Sequence, residues 1–158
     1  MLRRQRVMLL ILPMLVLLAA LALLVNSMGC RYELRSTHHN IDYYGVCRGG
    51  FVDIVETDLS TGSQWTVHAF QFALANQLLF MVHDRTQVRP SRDDTRSVLD
   101  TYNQAHGSFG MINYAWMPVD SRRVVFFQTS PRHDVLTLTR DGPLSLWDEY
   151  FPPQPPDF

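Results

Sequence analysis

The chain has no lysine; all 14 of its basic residues are arginine. Chemistry that needs an amine side chain is therefore excluded. No Schiff-base nucleophile, phosphate-loop lysine or Ser–Lys pair can be built from it. Cysteine is almost absent too, with Cys30 and Cys47 the two in 158 residues. The zinc signatures Cys-x-x-Cys and His-Glu-x-x-His do not occur. Gly-x-Ser-x-Gly, the nucleophile elbow, is missing as well: Ser108 precedes Phe109-Gly110, but His106 stands where the first glycine is needed. No Asn-x-Ser/Thr sequon is present.

Positive charge is scarce beyond residue 30. Eleven arginines there face all fifteen acidic residues, a net charge of −4 with histidine neutral. Phosphate binding needs a basic face, so nucleic acid is not an expected partner. Adhesion of this part of the chain to an anionic lipid surface is disfavoured for the same reason.

What the chain does have is a long apolar run. Val7–Val25 carries 19 residues with no polar or charged side chain. As a helix that is about 28 Å, close to the ~30 Å of bilayer hydrocarbon. Arg3, Arg4 and Arg6 precede it, and the next charge is Arg31. The positive-inside bias places residues 1–6 in the cytoplasm, 7–25 across the membrane as a single-pass signal anchor, and 31–151 outside. Residues 152–158, with four prolines, form an extended tail. Two cleaved forms compete. Ala20-Leu21-Ala22 offers a small-x-small cleavage site, giving a secreted product. Cys30, preceded by Gly29, could carry lipid as a lipoprotein, although Met28 is bulky for that motif. In an oxidising compartment Cys30 and Cys47 are expected to pair, which stabilises the fold by roughly 3 kcal/mol in the chain-entropy model.

After the anchor, strands are expected over 31–36, 43–47, 51–56, 64–74, 78–82, 109–117, 124–129 and 135–140, with 37–42 a polar connection and 48–50 a turn; a single helix from Ala69 to Val82 competes with the strand–turn–strand reading of that stretch. A helix is expected over Arg92–His106, N-capped by Ser91 with Asp93 and Asp94 in its first turn, and closed by Gly107. Val98, Leu99, Tyr102 and Ala105 form its apolar stripe. Residues 144–151 should pack Trp147 and Tyr150 on the sheet. Phe126 and Phe127 must face opposite ways in a strand. The expected fold class is α+β: one small antiparallel sheet with a single packed helix behind a transmembrane helix.

Candidate chemistry is dispersed. His38-His39 is adjacent, and in a strand the two rings point to opposite faces, so they grip one ion only if they lie in a loop. His68, His83, His106 and His133 show no ligand spacing. His83-Asp84 and His133-Asp134 are neighbours that rarely bond through their side chains in a strand. Asp93-Asp94 reads as helix capping and Asp148-Glu149 as a solvated turn. The sequence thus leads to no catalytic, metal or cofactor residues, and to the Cys30–Cys47 disulfide as its one covalent feature. The function expected is a non-enzymatic binding or assembly module of the cell envelope, tethered to the membrane and meeting an envelope protein. The alternatives are a small envelope hydrolase, or a secreted or viral surface protein binding a host partner.

Overall fold

The structure, a computed structural model, describes residues 2–92, 97–107, 109–130 and 133–154. A long helix α1 (Leu2–Met28) leads into eight strands: β1 (Arg31–His38), β2 (Ile41–Arg48), β3 (Phe51–Asp58), β4 (Gln64–Leu74), β5 (Gln77–Arg89), β6 (Gly110–Pro118), β7 (Arg123–Ser130) and β8 (Asp134–Asp141). A short helix α2 (Val98–His106) lies between β5 and β6, and α3 (Leu146–Tyr150) follows β8. Each strand pairs antiparallel with the next, and β8 pairs back onto β1, so the sheet is a closed barrel.

This corrects the expected fold. The strand stretches were legible, but they do not form a small open sheet under one helix. At nine residues α2 cannot cover a sheet face of eight strands. The alternating apolar face instead buries itself by closure, which also removes both sheet edges. Tyr32, Val52, Val67, Phe80, Trp116 and Phe126 point inward and are buried. Phe126 is 2 % exposed and Phe127 37 %, the opposed pair that the strand period requires.

Several boundaries move as well. The 37–42 connection is a two-residue turn, His39-Asn40, both at positive φ (48° and 62°), as a type I′ hairpin demands. Helix α2 starts at Val98, not Arg92. Its N-cap is Ser97, whose hydroxyl accepts from Asp100 N, while the Asp100 carboxylate takes the Ser97 N–H. Ser91 is no cap; it donates to Asp100 Oδ2 at 2.7 Å. Asp93 and Asp94 lie outside the described residues. Val98 is exposed and Leu99 buried, so the buried face of α2 is Leu99, Asp100 and Asn103, largely polar. Trp147 and Tyr150 do not pack on the sheet: both are exposed, and the Trp147 ring meets Phe151 at 4.7 Å. Leu144, just before α3, is the buried residue instead.

The two barrel ends differ. At one end α1 is bonded to the sheet: Asn26 Nδ2 donates to Ala73 O at 2.7 Å, and Ser27 Oγ accepts from Ala73 N at 2.9 Å. Asn26 Oδ1 also accepts from Trp147 N at the start of α3. Leu144 plugs this end, its carbonyl accepting from Gln71 Nε2, whose Oε1 in turn accepts from the Tyr32 hydroxyl. Cys30 and Cys47 form the expected disulfide here, both fully buried. The far end carries the β1–β2 turn, the β3–β4 loop and α2.

Chain closure is tight at Gly142. Its φ is +94°, and a Cβ there would sit inside contact distance of the Arg31 carbonyl oxygen. Gly142→Ala should therefore destabilise the barrel by at least the ~1–3 kcal/mol of an overpacked site. Gly49 (φ +60°), with open space around it, should lose only ~1–2 kcal/mol as alanine. Denaturant melts of the two variants would check the order; equal losses would mean that the Arg31–Gly142 approach does not constrain the fold.

Candidate functional site: the barrel cavity

Eight-stranded barrels have an interior that side chains can fill or that can hold one small ligand. Here a cavity of about 110 Å³ remains. Its wall is mostly apolar, with Leu34, Val67, Phe80, Ile112 and Phe126 among the lining residues. α2 lies over it, placing Leu99 and Tyr102 against the cavity.

Two charged residues stand deep in this apolar space, Glu56 and Arg85, each 9 % exposed, and a third, Asp134, also lines it. Glu56 stands on the inward face of β3, in parity with Val52 and Ile54. Arg85 faces inward for a less obvious reason. In β5 the inward residues are Leu78, Phe80 and Val82, so alternation would send Arg85 outward. The β4–β5 register shifts between His68/Ala69, pairing Asp84 with His68 and Val82 with Ala69, and leaves His83 as an extra residue. This bulge reverses the parity beyond it and turns Arg85 and Gln87 toward the inside.

Asn103 on α2 joins the two charges. Its Nδ2 donates to Glu56 Oε2 at 2.7 Å, and its Oδ1 accepts from Arg85 Nη1 at 2.5 Å. The Arg85 guanidinium lies 5.6 Å from the Tyr102 ring centroid, within cation–π range. Among the described residues Arg85 Nε is buried with no hydrogen-bond partner, an arrangement that costs about 1–3 kcal/mol when nothing fills it. Burial pushes the Glu56 carboxyl above its ordinary range; the Asn103 bond and the Arg85 charge oppose this and do not cancel it. Burial, and then the Glu56 charge, likewise push the Tyr114 hydroxyl up, so it stays protonated and neutral.

A second polar cluster holds the lid. The Asp100 carboxylate accepts from Ser63 Oγ, Trp65 Nε1 (2.7 Å), Gln87 Nε2 (2.9 Å), Ser91 Oγ and Ser97 N. Burial acts to raise its pKa and is outweighed by these bonds, which hold the group well below the usual carboxylate range. Asp100 thus ties α2 to the β3–β4 loop, β4 and β5 at once.

The sequence candidates are scattered by the fold. His68 bonds Asp53 on the barrel's outer side, and its ring lies 6.3 Å from that of His83. His106 bonds Tyr102 O, His133 is exposed, and Ser108 lies outside the described residues. Asp148 is not in a solvated turn: it is 4 % exposed and accepts from Arg140 Nη1 and Leu144 N. Glu149 pairs with Arg31 at 2.9 Å. His38 and His39 are brought together with Asp134 at the far end. Sequence reasoning missed Glu56, Arg85, Asn103 and Asp100. Glu56 was signalled by the alternation Val52-x-Ile54-x-Glu56; Arg85 was hidden by the bulge.

The two carboxyls should give stability opposite pH dependence. Glu56, with a raised folded pKa, contributes stability below about pH 4, and that contribution is lost as pH rises through the folded value. Glu56→Gln should therefore raise the melting temperature more at pH 8 than at pH 4. Asp100, with a depressed folded pKa, contributes stability above about pH 4 that is lost on acidification. Asp100→Asn should destabilise most at neutral pH and flatten the acid side of the profile. Thermal melts of the three proteins across pH 3–8 would check this; parallel profiles would remove the assignment.

In comparisons with known proteins the chain matches no family model and no curated protein, so the geometry of the barrel carries the functional argument.

Proposed function

We propose that the chain is a membrane-anchored extracytoplasmic binding module of the cell envelope, non-enzymatic, that holds a small amphipathic anion inside its barrel. The observation that carries this is the cavity itself: apolar walls around a buried arginine with an unsatisfied donor. A carboxylate on Arg85 Nε would satisfy that donor with a charge-assisted bond, and the apolar wall would take a short aliphatic chain. A dry apolar cavity of ~150 Å³ accommodates benzene, so at about 110 Å³ this one suits a short chain of at most about six heavy atoms, the size of butyrate. Ser36, which also lines the cavity, donates its hydroxyl to Thr137 O. That bond makes it part of the wall, unlike a serine nucleophile held by a base.

The anchored state is supported by the join between α1 and the barrel. The helix offers an 18-residue apolar window, Ile11–Met28, consistent with a membrane anchor or a signal. Asn26 and Ser27 bond to Ala73 and Trp147, so the end of α1 is part of the folded domain. Cys30 is consumed by the disulfide, which leaves it no thiol for lipid. Exposed Trp147, Tyr150, Phe151 and Phe51 ring the α1 end, where amphipathic rings favour the headgroup level.

The test uses the full chain in detergent and butyrate as probe, with n-butanol as its uncharged counterpart. Butyrate should bind saturably and more tightly than butanol, and Arg85→Gln should weaken it by about tenfold or more, as loss of a charged hydrogen bond predicts. No saturable butyrate binding, or equal binding by Arg85→Gln, would sink the reading. For the anchor, the chain should remain with membranes through a carbonate wash, and its release would restore the secreted alternative.

A further inference from the structure

The barrel's closing seam is incomplete at the far end. β1 pairs with β8 over Glu33–Arg35 alone, against Asp141–Thr139. One further link, Ser36 Oγ to Thr137 O at 2.8 Å, continues the join. Beyond it, His38 at the end of β1 faces Asp134 at the start of β8, with Nε2 3.2 Å from Oδ1. The two groups are close but misaligned: His38 Nε2 is buried and makes no hydrogen bond among the described residues. Next to it, His39 takes the left-handed conformation, φ 48°. That breaks the strand alternation that would send the two imidazoles to opposite faces, and their ring centroids are 3.9 Å apart. A donor atom from each of His38, His39 and Asp134 lies within 4.8 Å of the others.

We infer that His38, His39 and Asp134 form a site for a zinc-type divalent ion that staples β1 to β8 at the rim of the cavity. Two imidazoles and one carboxylate are a donor set for Zn²⁺ or a neighbouring late first-row ion, while Mg²⁺ and Ca²⁺ prefer oxygen alone. A tetrahedral ion with bonds of ~2.0–2.2 Å needs its donors about 3.5 Å apart. The His38–Asp134 pair already meets this, and His39, exposed at the turn, reaches it by side-chain rotation. The ion would use the lone pair of His38 Nε2, which no donor occupies among the described residues. Asp134 also lines the cavity, so the ion would stand beside its mouth, with a coordination position left for water or an anionic ligand.

The experiment is a ZnCl₂ titration of the full chain in detergent, followed by calorimetry and by thermal melting, with MgCl₂ in parallel. One Zn²⁺ per chain is expected, with a rise in melting temperature that Mg²⁺ does not give. His38→Gln, His39→Asn and Asp134→Asn should each weaken Zn²⁺ uptake by about tenfold or more, while His83→Ala should leave it unchanged. Asparagine is chosen at 39 because it tolerates left-handed backbone, and metal-free melts equal to the native chain would show that the variants are folded. Zn²⁺ uptake that is not saturable, that Mg²⁺ matches, or that persists in His39→Asn overturns the site. Butyrate binding measured without Zn²⁺, and read at Arg85, separates such a failure from a failure of the cavity reading.

Discussion

Everything in this domain depends on β1 meeting β8. A meander of eight strands with one apolar face has two ways to bury it, and among the described residues the helices that follow the anchor, α2 and α3, are too short to cover it from outside. Closure is the solution left, and it is made over three residue pairs. The short join is reinforced from the α1 end. Arg31 N donates to Pro143 O, Gly142 allows the chain to pass against the Arg31 carbonyl, and the disulfide fixes the start of β1 to the end of β2. The far half of the seam has side-chain links in place of a ladder. Two kinds of join thereby share one pair of strands: the backbone ladder toward the α1 end and side-chain links toward the far end.

The interior also differs from end to end. Near α1 a chain of hydrogen bonds runs from Tyr32 to Gln71 to Leu144 O, and that end is plugged. Toward the lid, Glu56 and Arg85 share one amide, and a guanidinium donor stays unmet. A buried charge without full pairing lowers stability. Two methyl-bearing residues would pack there at less cost, and the proposed anion would meet the donor left open. Asp100 offsets part of that cost a few residues away by collecting five donors from four segments, which also fixes the lid that the cluster depends on.

Much of this was legible in the sequence, and the failures have specific causes. The strands could be read because their alternation is regular, as Phe126 and Phe127 show, and the disulfide because only two cysteines exist. Closure could not be read, since it is a property of how the last strand meets the first and leaves no local periodicity. The helix start was misplaced because Ser91 and Ser97 each precede an acid by a few residues, and only the tertiary contacts of Asp100 choose between them. Its buried face was misread because an amphipathic stripe marks apolar residues, whereas α2 docks through Asp100 and Asn103. Arg85 was invisible because one extra residue, His83, reverses the parity of everything after it.

That reversal has a consequence for how the site is built. Without the bulge, Arg85 would lie outside with Asp53 and His68, and β5 would bring Asp84 or Thr86 to the interior beside Glu56. An acid placed there would set like charges together in an apolar space, with no cation between them. With the bulge, the interior gains a cation that Asn103 links to Glu56, and Gln87 reaches Asp100 in the same step. A single inserted residue therefore sets both the charge of the cavity and the attachment of its lid. The polar interior and the helix that covers it are two results of one irregularity in the ladder.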